Sequence, residues 1–142
     1  MNNLTIVIPG NPMAKQRARH SRNGAVYSPQ KLDIVRMKRE IRMRLPEGFE
    51  MFEQGYPVIV NAVFFFEPSK SKTTKKFLKQ IESEDVPHTQ KPDRDNCDKF
   101  LLDSMNKIVI HDDCQVYDGR LSKFWSKNPR TEIEIIWSQN ER

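Results

Sequence analysis

The chain has 142 residues, of which 37% are hydrophobic and 30% charged, with a formal net charge of +5. That length supports one core and a single domain, 1–142, and two cysteines are too few for a disulfide scaffold. The longest apolar run, Val58 to Phe66, is too short for a membrane span, and the uncharged start broken by Pro9 is not a signal peptide, so a cytoplasmic protein with reduced thiols and no membrane partner is expected.

In chain order, Leu4 to Ile8 is β-branched and apolar apart from Thr5, stops at Pro9-Gly10, and reads as the first strand. A loop carrying Lys15, Arg17 and Arg19 follows, and Val26-Tyr27 forms a short strand after the Asn23-Gly24 turn signal. Ser28-Pro29 suits a helix start, with Ser as N-cap and Pro in the first position. Ile34, Met37, Ile41 and Leu45 then share a helical face, ending at Pro46 and Gly48. Residues 13–44 hold ten Lys or Arg against Asp33 and Glu40, whereas the remainder of the chain holds 14 basic and 17 acidic residues. The N-terminal third is therefore a cationic region suited to phosphate backbones or an anionic membrane surface, or else a solvated helix face.

Pro57 to Phe66 is apolar on both faces, which predicts a central, doubly covered strand. Residues 67–91 form a basic loop, rich in Lys70, Lys72, Lys75, Lys76 and Lys79, with a short helix near 73–81; its lysines contact DNA or are simply solvated. A helix from about Arg94 to Asn106 turns Cys97, Phe100, Leu101, Ser104, Met105 and Ile108 inward. Residues 115–125 and 131–137 look like a hairpin turning at Lys127-Asn128-Pro129. These elements predict an α+β fold: a mixed sheet of about four to five strands with packed helices.

Within the segment 91–117, six carboxylates crowd together: Asp93, Asp95, Asp98, Asp103, Asp112 and Asp113. Asp95, Lys99 and Asp103 are spaced i, i+4 and i+8 and share a helix face, with Asp93 at the helix entrance. Hard divalent ions such as Mg²⁺ take oxygen ligands, and Asp93, Asp95 and the Asp112/Asp113 pair supply them. Such an ion neutralises phosphate oxygens and acidifies an attacking water, while a lysine such as Lys99 stabilises the charge that develops. The same residues also suit helix capping and surface ion pairing. A calcium loop is excluded, because Asp98 stands where glycine is needed and Ser104 where glutamate is needed. Zinc binding by Cys97, Cys114, His88 and His111 lacks any paired-ligand spacing.

Lys91-Pro-Asp-x-Asp-Asn-x-x-Lys99, Leu102-Asp103 and Asp112-Asp113-x-Gln115-Val116, together with Gly10-x-Pro12-x-x-Lys15-x-Arg17-x-Arg19, resemble the signature of RusA-type Holliday junction resolvases of bacteria and their prophages. The resemblance implies a Mg²⁺-dependent endonuclease, with Mn²⁺ able to substitute, that acts as a homodimer in recombination and repair. Such an enzyme nicks four-way DNA junctions symmetrically and leaves 5′-phosphates. It implies that Asp93, Asp95 and Asp113 are catalytic metal ligands, that Lys99 is the essential lysine, and that Asp112 is an auxiliary ligand. Asn96 and Asp103 are supporting residues, and Lys15, Arg17, Arg19, Lys91 and Lys123 meet DNA phosphates. Cys97 departs from the family's usual leucine, and the 67–91 loop is longer than in compact members. Two other readings remain: a non-catalytic DNA-binding module of the same fold, and a nuclease for other branched DNA or RNA.

Overall fold

A computed structural model describes residues 1–27 and 29–139. The chain forms an α+β domain whose strands are β1 (Asn2–Pro9), β2 (Arg19–His20), β3 (Val26–Tyr27), β4 (Val58–Phe66), β5 (Val116–Asp118), β6 (Leu121–Trp125) and β7 (Arg130–Trp137). The helices are α1 (Lys31–Arg44), α2 (Lys75–Gln80) and α3 (Arg94–Met105). No helix among the described residues is long and apolar enough to cross a membrane.

The main sheet has five strands and is mixed: β1 pairs with β7 and β7 with β4, both antiparallel, while β5 and β6 both run parallel to β4. β5 and β6 are two halves of one strand that break at Gly119-Arg120 without a change of register, since Ile59 faces Asp118 and Ala62 faces Leu121. The register shift lies one step earlier, where Val58 faces Val116 and Ile59 faces Asp118, so that Tyr117 is the extra residue of a bulge. Arg120 N–H donates to Asn61 Oδ1 at 2.7 Å and Ala62 N–H to the Arg120 carbonyl at 2.9 Å, which satisfies the backbone across the break.

The expected hairpin between 115–125 and 131–137 is not formed. β6 and β7 lie on opposite sides of β4, and the connection crosses the end of that strand, where Ser126 N–H donates to the Phe66 carbonyl at 2.9 Å. The most apolar strand takes the centre because there it can be paired along both edges. Double cover of β4 is realised only in part. Val58, Val60, Ala62, Phe64 and Phe66 face α1 and α3 in the core, whereas Ile59, Asn61 and Val63 are only partly buried.

Helix α1 begins at Lys31, later than expected; Ser28, expected as its cap, lies outside the described residues, and Gln30 occupies the cap position. Gln30 is buried because its side chain works elsewhere: Nε2 donates to the Ala14 carbonyl and Oε1 accepts from Gln16 N–H, each at 2.7 Å. This clamps the Lys15/Arg17 segment to the helix entrance. Ile41 is fully buried, while Leu32, Val35 and Met43 are exposed on the opposite face. β2 and β3 make a separate two-stranded hairpin, and α2 forms where a short helix was expected, capped by Thr74, whose hydroxyl accepts from Phe77 N–H at 3.1 Å.

Candidate active site

Helix α3 buries Cys97, Phe100, Leu101, Ser104 and Met105, and so turns Asp95, Lys99 and Asp103 away from the core on one exposed face. After Met105 the chain folds tightly back, with Lys107 in the left-handed region and its N–H donating to the Ile110 carbonyl at 2.6 Å. Val109 and Ile110, both fully buried, pin this return. The turn brings His111–Gln115 alongside α3, so that acids about ten residues apart in sequence become neighbours.

Gln115 holds that loop. Its buried side chain accepts from His111 N–H at 2.7 Å and Asp112 N–H at 3.1 Å, and donates to the carbonyls of Glu53 at 2.9 Å and Tyr56 at 3.0 Å. Asp112 completes a reciprocal capping box by accepting from the Gln115 N–H with its side chain. Gln115 belongs to the acidic motif, yet its type alone carries no hint of four backbone partners.

The acids act on one another. Interaction with Asp113 holds Asp112 below the usual carboxylate range, and the same interaction, helped by burial and by the charges of Asp112 and Asp103, raises Asp113. Asp98 is raised by burial first, then by the charges of Asp113 and Asp95. Asp98 is outside the set of site residues that the resemblance implies, but it stands half-buried between the helix acids and the loop acids. Its spacing of three from Asp95 is the signal that could have found it.

Asp103 is neutralised by Lys15, whose Nζ lies 2.7 Å from its Oδ2, and Lys15 N–H donates to the Asn96 carbonyl at 2.9 Å. Lys99 forms no ion pair with Asp95 or Asp103 among the described residues. The ordinary ion-pair ladder that the spacing allowed is therefore absent. Asp93 stands at the N-cap position of α3 without a capping hydrogen bond, in a cleft it shares with Lys15, Lys91 and Asn96. Asn96, expected as a supporting residue, acts here through its backbone.

Lys123 is engaged differently from a free phosphate contact. Its Nζ donates to the carbonyls of Gln90 and Pro92, both at 2.6 Å, bracing the segment that leads into Asp93. Arg17 and Arg19 are exposed, Arg19 on the β2–β3 hairpin. The cationic region is thinner than its composition suggests, because Lys15 pairs with Asp103, Lys38 donates to the Asn106 carbonyl and Arg44 pairs with Glu40.

Carboxylates that repel one another without a cation between them are the donor set a hard divalent ion takes, and Mg²⁺ or Mn²⁺ fits that chemistry. Among the described residues no three acids, histidines or cysteines already converge at liganding distance, so ion binding would require side-chain rotation. Zinc does not fit, since Cys97 is buried with its thiol pushed up to about 11 by desolvation, Cys114 is exposed, and His88 is stacked between Phe66 and Trp125.

A mixed sheet carrying an acidic helix face opposed by an acidic loop, tied through Lys15 to a basic segment, suits a nucleic-acid-cleaving domain. Comparison with known proteins agrees: residues 9–136 match the family model described as endodeoxyribonuclease RusA, and the chain belongs to that family. It is also 30% identical over 137 residues to the uncharacterized protein YqaN of Bacillus subtilis (strain 168), covering 95% of this chain and 96% of that protein.

Proposed function

We propose that this protein is a divalent-metal-dependent endodeoxyribonuclease that resolves four-way DNA junctions as a homodimer, making paired symmetric nicks that leave 5′-phosphates. The observation that carries the reading is the combination of a Lys99 that forms no ion pair among the described residues, one turn from Asp95, with an acidic loop folded against the same helix face. Surface ion pairing would have joined these groups to one another. Family membership supports DNA cleavage as the reaction. A dimer suits a two-fold symmetric junction, because each scissile strand then meets its own site.

Asp95 and Asp113, with Asp93 and Asp112 beside them, are the residues that would hold Mg²⁺ or Mn²⁺. When bound, the cation neutralises phosphate oxygens and acidifies a water for attack. Carboxylates bind a hard cation in their ionised form, and Asp113 is raised above the usual range, so acid opposes loading of the site. Asp98, half-buried and not directly in reach of solvent on all sides, adds negative field at Asp95 and Asp113. Lys99 meets the scissile phosphate and stabilises the charge gathered there in the transition state. Arg17 and Arg19 grip flanking phosphates, and Lys91 guides the strand past Asp93. Lys15 holds Asp103 and thereby sets the distance between the basic segment and α3.

The test is incubation of purified protein with a synthetic four-way junction, a flap, linear duplex and RNA in Mg²⁺. Symmetric nicks confined to the junction are expected, and Asp95→Asn should bind the junction without cutting it. A junction left intact in both Mg²⁺ and Mn²⁺ would reduce the chain to a binding module, and equal cutting of flap or RNA would remove the junction assignment.

A further inference from the structure

Beside the catalytic segment lies a second cleft of about 530 Å³, a volume in the range of small-ligand sites. Its wall is aromatic. The His88 ring stacks on Phe66 with centroids 4.2 Å apart and abuts Trp125 at 4.3 Å, and Phe77 from α2 meets Trp125 edge-on at 5.7 Å. Phe66 and His88 are buried, while Phe77 and Trp125 are partly exposed and leave ring surface open to the cleft. Burial, with the charge of Lys123, holds the His88 imidazole below its ordinary value, which keeps this wall uncharged. His88 Nδ1 has no hydrogen-bond partner among the described residues.

The rim is polar, with Lys91 its cation and a lysine-rich segment next to it. Lys91 lines this cleft and also the neighbouring one that contains Asp93, so the two meet at that residue. Lys70, Lys75, Lys76 and Lys79 are exposed on the segment that carries Phe77. Glu67 is the one acid among the lining residues, and it is tied down by Asn11, whose Nδ2 donates to Glu67 Oε1 at 3.1 Å. Gln90 and Thr73 add groups able to read a base edge.

We propose that this cleft is a base-binding subsite: a nucleobase unstacked at the branch point enters it and stacks on Phe77 with its edge against Trp125, its phosphate at Lys91. The proposal rests on the DNA-cleavage reading above and deepens it. Every base has a π-face, so an aromatic wall accepts any of them, and polar groups at the edge then discriminate. A branch point is where unstacking costs least, because bases there have already lost a neighbour. Junction of the two clefts at Lys91 places the captured base next to the phosphate that reaches the acids. The subsite would thereby determine which nucleotide step is cut.

The experiment uses four-way junctions in which each nucleotide near the branch is replaced in turn by an abasic site, which keeps the phosphate and removes the ring. Binding is measured without divalent metal for the wild type, Phe77→Ala and Phe77→Leu, and cleavage of the intact junction in Mg²⁺ is measured on the same preparations. At one position the abasic site should weaken wild-type binding by about tenfold, the order of one base stacked on an aromatic side chain. Both variants should bind the intact junction more weakly by a similar factor and ignore that lesion; Phe77→Leu keeps apolar volume and so guards against a folding defect. Abasic effects within about twofold at every position, or variants as sensitive to the lesion as the wild type, would overturn the subsite. A wild type that binds but does not cut defeats the nuclease reading while the abasic comparison still decides the subsite. One that cuts without any abasic effect defeats the subsite alone.

Discussion

Lys123 on β6 donates to the carbonyl of Pro92, one residue ahead of Asp93, at 2.6 Å, so a sheet strand holds the entrance of helix α3. A second bond from the same ammonium to the Gln90 carbonyl fixes the loop at two points. Lys123→Ala should therefore lower the cleavage rate by roughly 10- to 100-fold through mispositioning, with junction affinity nearly unchanged. Single-turnover kinetics and a salt titration of binding check this. A salt slope smaller by about one in the variant would instead identify Lys123 as a phosphate contact.

Asp98 repels Asp95 and Asp113 in the metal-free protein, being half-buried with no basic partner among the described residues. Asp98→Asn should raise the metal-free melting temperature by a few degrees. The same substitution should shrink the stabilisation that added Mg²⁺ confers, since less repulsion is left for the ion to relieve. Thermal melts across a Mg²⁺ series read both effects, and a variant that melts lower without metal would show that Asp98 is held by something other than repulsion.

Gly119 lies at the break between β5 and β6, where a Cβ would sit 1.8 Å from the Val60 carbonyl oxygen. That oxygen belongs to the central strand and cannot yield without disturbing the pairing on either side. Gly119→Ala should cost on the order of 2–4 kcal/mol in chemical denaturation, a size tied to backbone strain at a special position. A loss below about 0.5 kcal/mol would mean that the break between β5 and β6 relaxes freely.

Glu84 receives two hydrogen bonds from Arg130, at 2.6 and 2.9 Å, and one from the Ser126 hydroxyl. Arg130 and then Ser126 hold its carboxyl down to about 2 from an ordinary 4.5. The folded value is depressed, so its stabilisation is complete above pH 4.5 and is lost as pH falls toward 2. Wild type should lose stability through that window by more than Glu84→Gln does, as judged by denaturation midpoints from pH 6 downward. Parallel curves would remove Glu84 from the account of acid sensitivity.

Much of this was legible in the chain itself. Helix α3 and its inward stripe follow from period and composition, because Cys97, Phe100, Leu101 and Met105 recur at helical spacing and nothing else in the segment could bury them. The centrality of β4 follows from its unbroken apolar run, and the family signature from fixed polar spacing. Local pattern, however, does not report pairing partners. The run from 115 to 137 has the look of a hairpin, yet β4 enters between its halves, since a strand apolar along its length gains more from two neighbours than from one.

Periodicity and residue identity were enough to read the class of the fold, the helix that carries the acids and the types of residue available for chemistry. Which charges face one another became visible in the folded chain alone. Packing paired Asp103 with Lys15, left Lys99 without an ion pair among the described residues, committed Lys123 to carbonyls and brought Asp98 into the acidic group, because side-chain contacts between distant segments are set by how α3, the 106–115 return and the sheet pack together.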